Sequence, residues 1–147
     1  MAEHVRRLLP GLWAGMLLCV ALIATPAPFA MLAGADAGRV VSRVFVQEAW
    51  TSLALALWLI AAERRRARDA VEAGTGSVLS TELLLLFGTV MCTVAGHFGM
   101  QPLMSGARSG SGPFSFGQLH AISVLFFGVK TLLVLLLAWR VAARPSS

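Results

Sequence analysis

Glu48, His97 and His120 are the side chains in this sequence best equipped for chemistry: a carboxylate and two imidazoles set in apolar surroundings, with Met100, Gln101, Met104 and Ser123 nearby in the chain. Imidazole and thioether ligate copper and haem iron, and a carboxylate beside an imidazole can relay a proton. Lys130 is the other unusual group, an ammonium inside the otherwise apolar run from Leu119 to Trp139. None of these spacings matches a metal motif. Cys19 and Cys92 have neither a CxxC pattern nor a histidine three or four residues away, so they read as packing residues rather than a disulfide or zinc site. The sequence carries no nucleotide fingerprint, serine elbow or paired catalytic carboxylate, and the expectation is a protein that is not an enzyme.

The elements that must position these residues follow from composition. The chain is 57% hydrophobic and 13% charged with a mean hydropathy of +0.77, outside the balance of a soluble domain. Crossing about 30 Å of hydrocarbon takes roughly 20 apolar helical residues. Leu8 to Ala33, Val44 to Ala62, Leu83 to Met104 and Leu119 to Trp139 meet that requirement, the second interrupted only by Gln47 and Glu48. The expected fold is all-α: one transmembrane domain over residues 1–147, an integral membrane four-helix bundle. The run from Leu8 is too long for a signal-peptide core, and Pro26 spoils the cleavage site near it, so it reads as a retained span.

Arg6, Arg7, Arg64, Arg65, Arg66, Arg68, Arg140 and Arg144 fall on one side of a four-span map, against Arg39, Arg43 and Arg108 on the other. The positive-inside rule then places both termini in the cytoplasm, and it accounts for a pI near 11 without any nucleic-acid partner. Trp13, Trp58 and Trp139 are expected near the cytoplasmic interface and Trp50 near the outer one. Asp36 can cap a second helix that begins outside the membrane as an amphipathic extension over residues 37–47, with Val40, Val41, Val44 and Phe45 on one face. Ser105 to Phe116, rich in Gly and Ser, reads as a loop.

Polar and small residues in a membrane helix mark the face packed against protein. On the third span Glu82, Thr89, Cys92, Thr93, Gly96, His97 and Met100 share an arc of roughly 140°, with Gly88 and Gly96 spaced for close helix approach. His120, Ser123, Lys130 and Thr131 share about 100° of the fourth span, and Glu48, Thr51 and Ser52 do likewise on the second. Gly11 and Gly15 form a GxxxG that reads as helix packing. Pro26 and Pro28 predict a kink in the first helix.

These faces would gather Glu48, His97 and His120 at the outer mouth, with Gln101 and Ser123. The ordinary reading is a structural hydrogen-bond network; the alternative is a ligand or proton-relay site, with His120 and His97 as metal ligands if there is one. Lys130 falls near the midplane with no acidic residue expected at its depth. Either it turns inward to interior acceptors, such as the carbonyls freed by Pro26 and Pro28, or it snorkels toward headgroups. Glu82 would pair with one of Arg64 to Arg68.

Gly11-Leu-Trp-Ala-Gly15, Ala24-Thr-Pro-Ala-Pro-Phe29, Ala37-Gly-Arg-Val-Val-Ser-Arg-Val-Phe45 with Glu48, Gln101-Pro102 and Phe116-Gly-Gln-Leu-His-Ala-Ile-Ser123 resemble the domain of unknown function 4149 family. That family includes bacterial members and the eukaryotic transmembrane protein 205. The resemblance covers nearly the whole chain. It implies a four-span membrane protein of unsettled activity, with Pro26, Phe29, Phe45, Glu48, Pro102, His120 and Ser123 as pattern residues. His97 departs from the pattern, where an aromatic is more usual, which favours His120 over His97. The expectation is a bacterial inner-membrane protein, a non-enzymatic accessory or structural component without a cofactor. Its partners would be the bilayer and other membrane proteins or further copies of itself. The alternative is a metal-ion or haem binding or transport protein, with haem or copper as cofactor.

Overall fold

The computed structural model describes residues 2–75, 77, 79–110 and 113–143; Arg144 of the expected arginine cluster lies outside them. Helix α1 (Ala2–Cys19) passes through a π-helical turn (Val20–Ala24) into the short α2 (Pro26–Met31). Helix α3 (Gly34–Glu72) is continuous. Helix α4 (Thr81–Thr93) widens into a second π-helical turn (Val94–Gly99) before α5 (Met100–Arg108), and α6 (Phe116–Ala142) completes the chain. The fold is all-helical. His4–Met31, Gly34–Glu72, Thr81–Ala107 and Phe116–Ala142 are each long and apolar enough to cross a membrane.

The four rods form a ring in which α6 packs against α1 and α4, and α3 closes against both of these. Trp13, Leu17, Ala56, Leu59, Leu86, Val134 and Leu137 form the buried core. It lies in the half of the bundle nearest the termini. Elsewhere large apolar side chains point outward, among them Leu12, Leu22, Met31, Met91, Leu125 and Leu132. A surface this apolar is stable only where hydrocarbon replaces water.

Local sequence explains the helix ends. Ser80 caps α4 by accepting from the backbone N–H of Leu83 at 3.3 Å. Ser115 and Gln118 form a reciprocal capping box that starts α6. At Pro26 the ring nitrogen cannot donate to Leu22, and the helix compensates by widening: the Thr25 N–H and hydroxyl both donate to the Val20 carbonyl, at 2.9 and 2.7 Å. The expected interruption at Pro26 and Pro28 therefore takes the form of a π turn followed by a restarted helix.

Several expectations need correction. Asp36 does not cap α3, whose N-cap is Ala33; Asp36 lies in the first turn and pairs with Arg39. Ser105 to Arg108 are helical, so the loop is shorter than Ser105 to Phe116. Gly11 and Gly15 are exposed with nothing within 4 Å of a Cβ at either, so the GxxxG is not a packing motif within this bundle. Close approach occurs instead at Gly96, where a Cβ would stand 2.6 Å from Cβ of Phe126, and at Gly88, 3.0 Å from Cδ1 of Leu133. Trp13 is no interfacial indole; it is buried in the core, whereas Trp50, Trp58 and Trp139 are exposed.

Candidate functional site

Glu48 lies fourteen residues past the start of α3 at Gly34, and Lys130 fourteen past the start of α6 at Phe116. The two helices descend in parallel from the loop end of the bundle, and at 1.5 Å per residue both side chains reach a level about 21 Å down. There they meet. The Lys130 ammonium donates to both oxygens of Glu48 at 2.8 Å, with the two residues only 3% and 4% exposed. Lys130 therefore does turn inward, but to a carboxylate rather than to proline-freed carbonyls. The expectation that no acidic group shares its depth fails because α3 begins well before its apolar stretch, which carries Glu48 deeper than the outer mouth.

The pair is extended on one side by a chain of hydrogen bonds. The Ser52 hydroxyl, one helical turn below Glu48, donates to its Oε1 and accepts from the Trp13 indole N–H at 2.9 Å. Helices α1, α3 and α6 are thereby tied through four buried side chains. On the loop side, the Phe127 ring lies 4.8 Å from Nζ of Lys130 and meets Phe45 edge-to-face at 5.3 Å. An ion pair removed from water this completely is stabilising only if its remaining donors and acceptors are filled, and Ser52 and Phe127 supply those contacts.

The other candidate residues are dispersed. His120 is exposed and stacks on Phe116 at 6.0 Å; it lies ten residues from Lys130 on the same helix, about 15 Å along the axis, too far to share a ligand with Glu48. His97 is half-buried in the π turn, within electrostatic reach of Glu48 and Lys130, with its ring edge-to-face on Phe98. Gln101 is exposed. Ser123 makes a long 3.4 Å contact to the Gly96 carbonyl. The expected gathering of Glu48, His97 and His120 at one mouth is therefore not formed. Among the described residues no group of three His, Cys, Asp or Glu side chains could hold a metal ion. Thr51 turns outward and bonds the Gln47 carbonyl.

Further ion pairs close the end of the bundle that holds the termini. Arg6 pairs with Glu63, both buried, and Arg66 stands 3.8 Å from the same carboxylate. Glu82, 1% exposed, binds Arg140 at 3.0 Å instead of an arginine of the 64–68 cluster, because the first turn of α4 abuts the last turns of α6. Sequence reasoning missed Glu63 and the Trp13–Ser52 bond. The first carried a signal: Glu63 is the lone acid directly before the arginine run. The second carried none, since it depends on which way α1 is rotated.

Residues 8–112 match the family model described as a domain of unknown function, DUF4149. No curated protein and no solved structure matches the chain. The chain belongs to the DUF4149 family.

Proposed function

We propose that this member of the DUF4149 family is a non-enzymatic membrane component, a small helical bundle that supports another membrane protein or process. The observation that carries the reading is the use of the Glu48 carboxylate: both oxygens engage Lys130, one also takes Ser52, and the chain ends on a buried indole. A polar seam occupied in this way fixes one packing of three helices. Affinity capture from membranes in mild detergent tests the role, with membrane proteomes compared between cells that have and lack the protein. One membrane component should be captured in stoichiometric amount and fall in abundance when the protein is absent. A protein that captures nothing and whose loss disturbs nothing overturns the reading.

The setting we propose is a bacterial inner membrane with both termini cytoplasmic. Support comes from the arginines at the terminal end, where Arg7, Arg64, Arg65, Arg66, Arg68 and Arg140 outnumber Arg39, Arg43 and Arg108. A reporter fused to the C-terminus should be active only in its cytoplasmic form; activity in the periplasmic form inverts the orientation. A metal or haem role has less support, since the Glu48 carboxylate is held by Lys130 and no group of three His, Cys, Asp or Glu among the described residues could hold a metal ion. Colourless, metal-free purified protein whose behaviour is unaltered by His120→Ala would count against it.

A further inference from the structure

Counted at 100° per residue, Trp50, Ala54, Leu57, Trp58 and Ala61 occupy one arc of about 100° on α3, and all five are exposed. They form the stripe that faces outward from the bundle. Past Ala61 the stripe changes character without changing direction: Arg65 and Arg68 fall in the same arc, Arg64 at its edge, and all three are exposed. The buried side of this turn is elsewhere, at Glu63 and Ala67. Among the described residues no acidic group pairs with any of the three arginines, although the neighbouring Arg66 stands 3.8 Å from Glu63. Glu72 falls in the same arc one turn past Arg68, and Asp69 just outside it at the level of Arg68, so these acids repel an anion on their side and leave it the part of the arginine turn nearer the apolar stripe.

Lipids that lie against Leu57, Trp58 and Ala61 have their headgroups at the level where that stripe ends, which is where the three guanidiniums project. A guanidinium offers its donors in a planar fork matched to phosphate, and an exposed indole one to two turns away suits the interface. We infer that Arg64, Arg65 and Arg68 form a binding site for the headgroup phosphate of an acidic phospholipid seated on the α3 face. A zwitterionic lipid presents the same phosphate but brings its own cation, which repels the cluster, so the site selects for net negative charge. This goes beyond an orientation signal, which needs the arginines only on the correct side and not on one face.

The test uses the full-length protein in detergent micelles supplied with phosphatidylglycerol or phosphatidylcholine, with bound lipid counted by native mass spectrometry. Each basic residue near an anionic surface contributes about fivefold, so the wild-type protein should retain the acidic lipid at least roughly tenfold more strongly. The R64Q/R65Q/R68Q variant should fall to near parity, and R39Q/R43Q, at the opposite end of the bundle, should keep the preference. The three arginines are exposed, so unchanged helicity and elution volume are expected for the variant. Glycerol phosphate, the soluble headgroup, should fail to displace the lipid. The inference is overturned by equal retention of both lipids, by a triple variant that keeps the preference, or by full displacement with glycerol phosphate, which would mark a site for soluble phosphate.

Discussion

Lys130→Met removes the ammonium and leaves the Glu48 carboxylate buried at 4% exposure, with the Ser52 hydroxyl as the contact that remains from the seam. Breaking a buried ion pair from one side costs about 3–5 kcal/mol, because the surviving charge keeps its desolvation cost and loses its attraction. Glu48→Gln is the mirror case and strands the ammonium over Phe127. Combining the two removes both charges, while the substituted amide still accepts from Ser52 and the thioether side chain fills the lysine's volume. Replacing a whole buried pair by apolar groups is often neutral or stabilising, and here the amide NH2 adds the cost of a buried donor without a partner, so the double variant should lie within about 1–3 kcal/mol of the wild type. The single effects are then non-additive by several kcal/mol. Titrating the protein in mixed micelles with dodecyl sulfate and following Trp fluorescence reads this directly, since the Trp13 indole is held at the end of the same chain. If each single change costs less than about 1 kcal/mol, or if the double variant loses the sum of the two, the pair does not clamp the helices and the account of the seam fails.

Gly96→Ala would place a Cβ 2.6 Å from Phe126 and should destabilise the bundle by about 1–3 kcal/mol, with Gly88→Ala, at 3.0 Å from the end of a leucine, costing less. Gly11→Ala and Gly15→Ala meet nothing within 4 Å and should be neutral or slightly stabilising in the same unfolding assay. Trp13→Phe keeps most of the buried ring but deletes the donor to Ser52, for an expected loss of about 0.5–1.5 kcal/mol and a lower fluorescence signal from the folded state. Glu63→Gln should weaken the tie between the start of α1 and the end of α3. Faster amide exchange confined to the first turns of α1 would report it, and unchanged exchange there would show the Arg6 pair to be dispensable.

The four rods were legible because hydrocarbon thickness imposes a length of apolar sequence that can be measured on the chain, and arginine marks where each rod leaves it. The inward faces of α4 and α6 were legible for a similar reason: a polar side chain facing lipid is costly, so Glu82, Thr89, Thr93 and Thr131 were expected to turn toward protein and are buried, while Lys130, which could also have snorkelled, is buried with them. Family membership was carried by the short runs around Pro26, Phe45 and His120, within or just beyond the matched residues 8–112.

Partner choice was a different matter. Whether Lys130 meets Glu48, whether Glu82 meets Arg140, and whether Gly11 faces a helix or the surroundings depend on the axial offset and rotation of whole rods. An apolar stretch does not report its own start to within a turn, and one turn shifts a side chain by about 5.4 Å. Counting from Val44 put Glu48 at the outer mouth with the histidines; counting from Gly34, where the helix begins, puts it beside Lys130. Composition and periodicity pick out the side of each rod that turns inward, though Thr51 and His120, assigned to those sides, are exposed. Only the packing of the rods, through contacts such as Gly96 against Phe126 and Trp13 against Ser52, decides which of them touch.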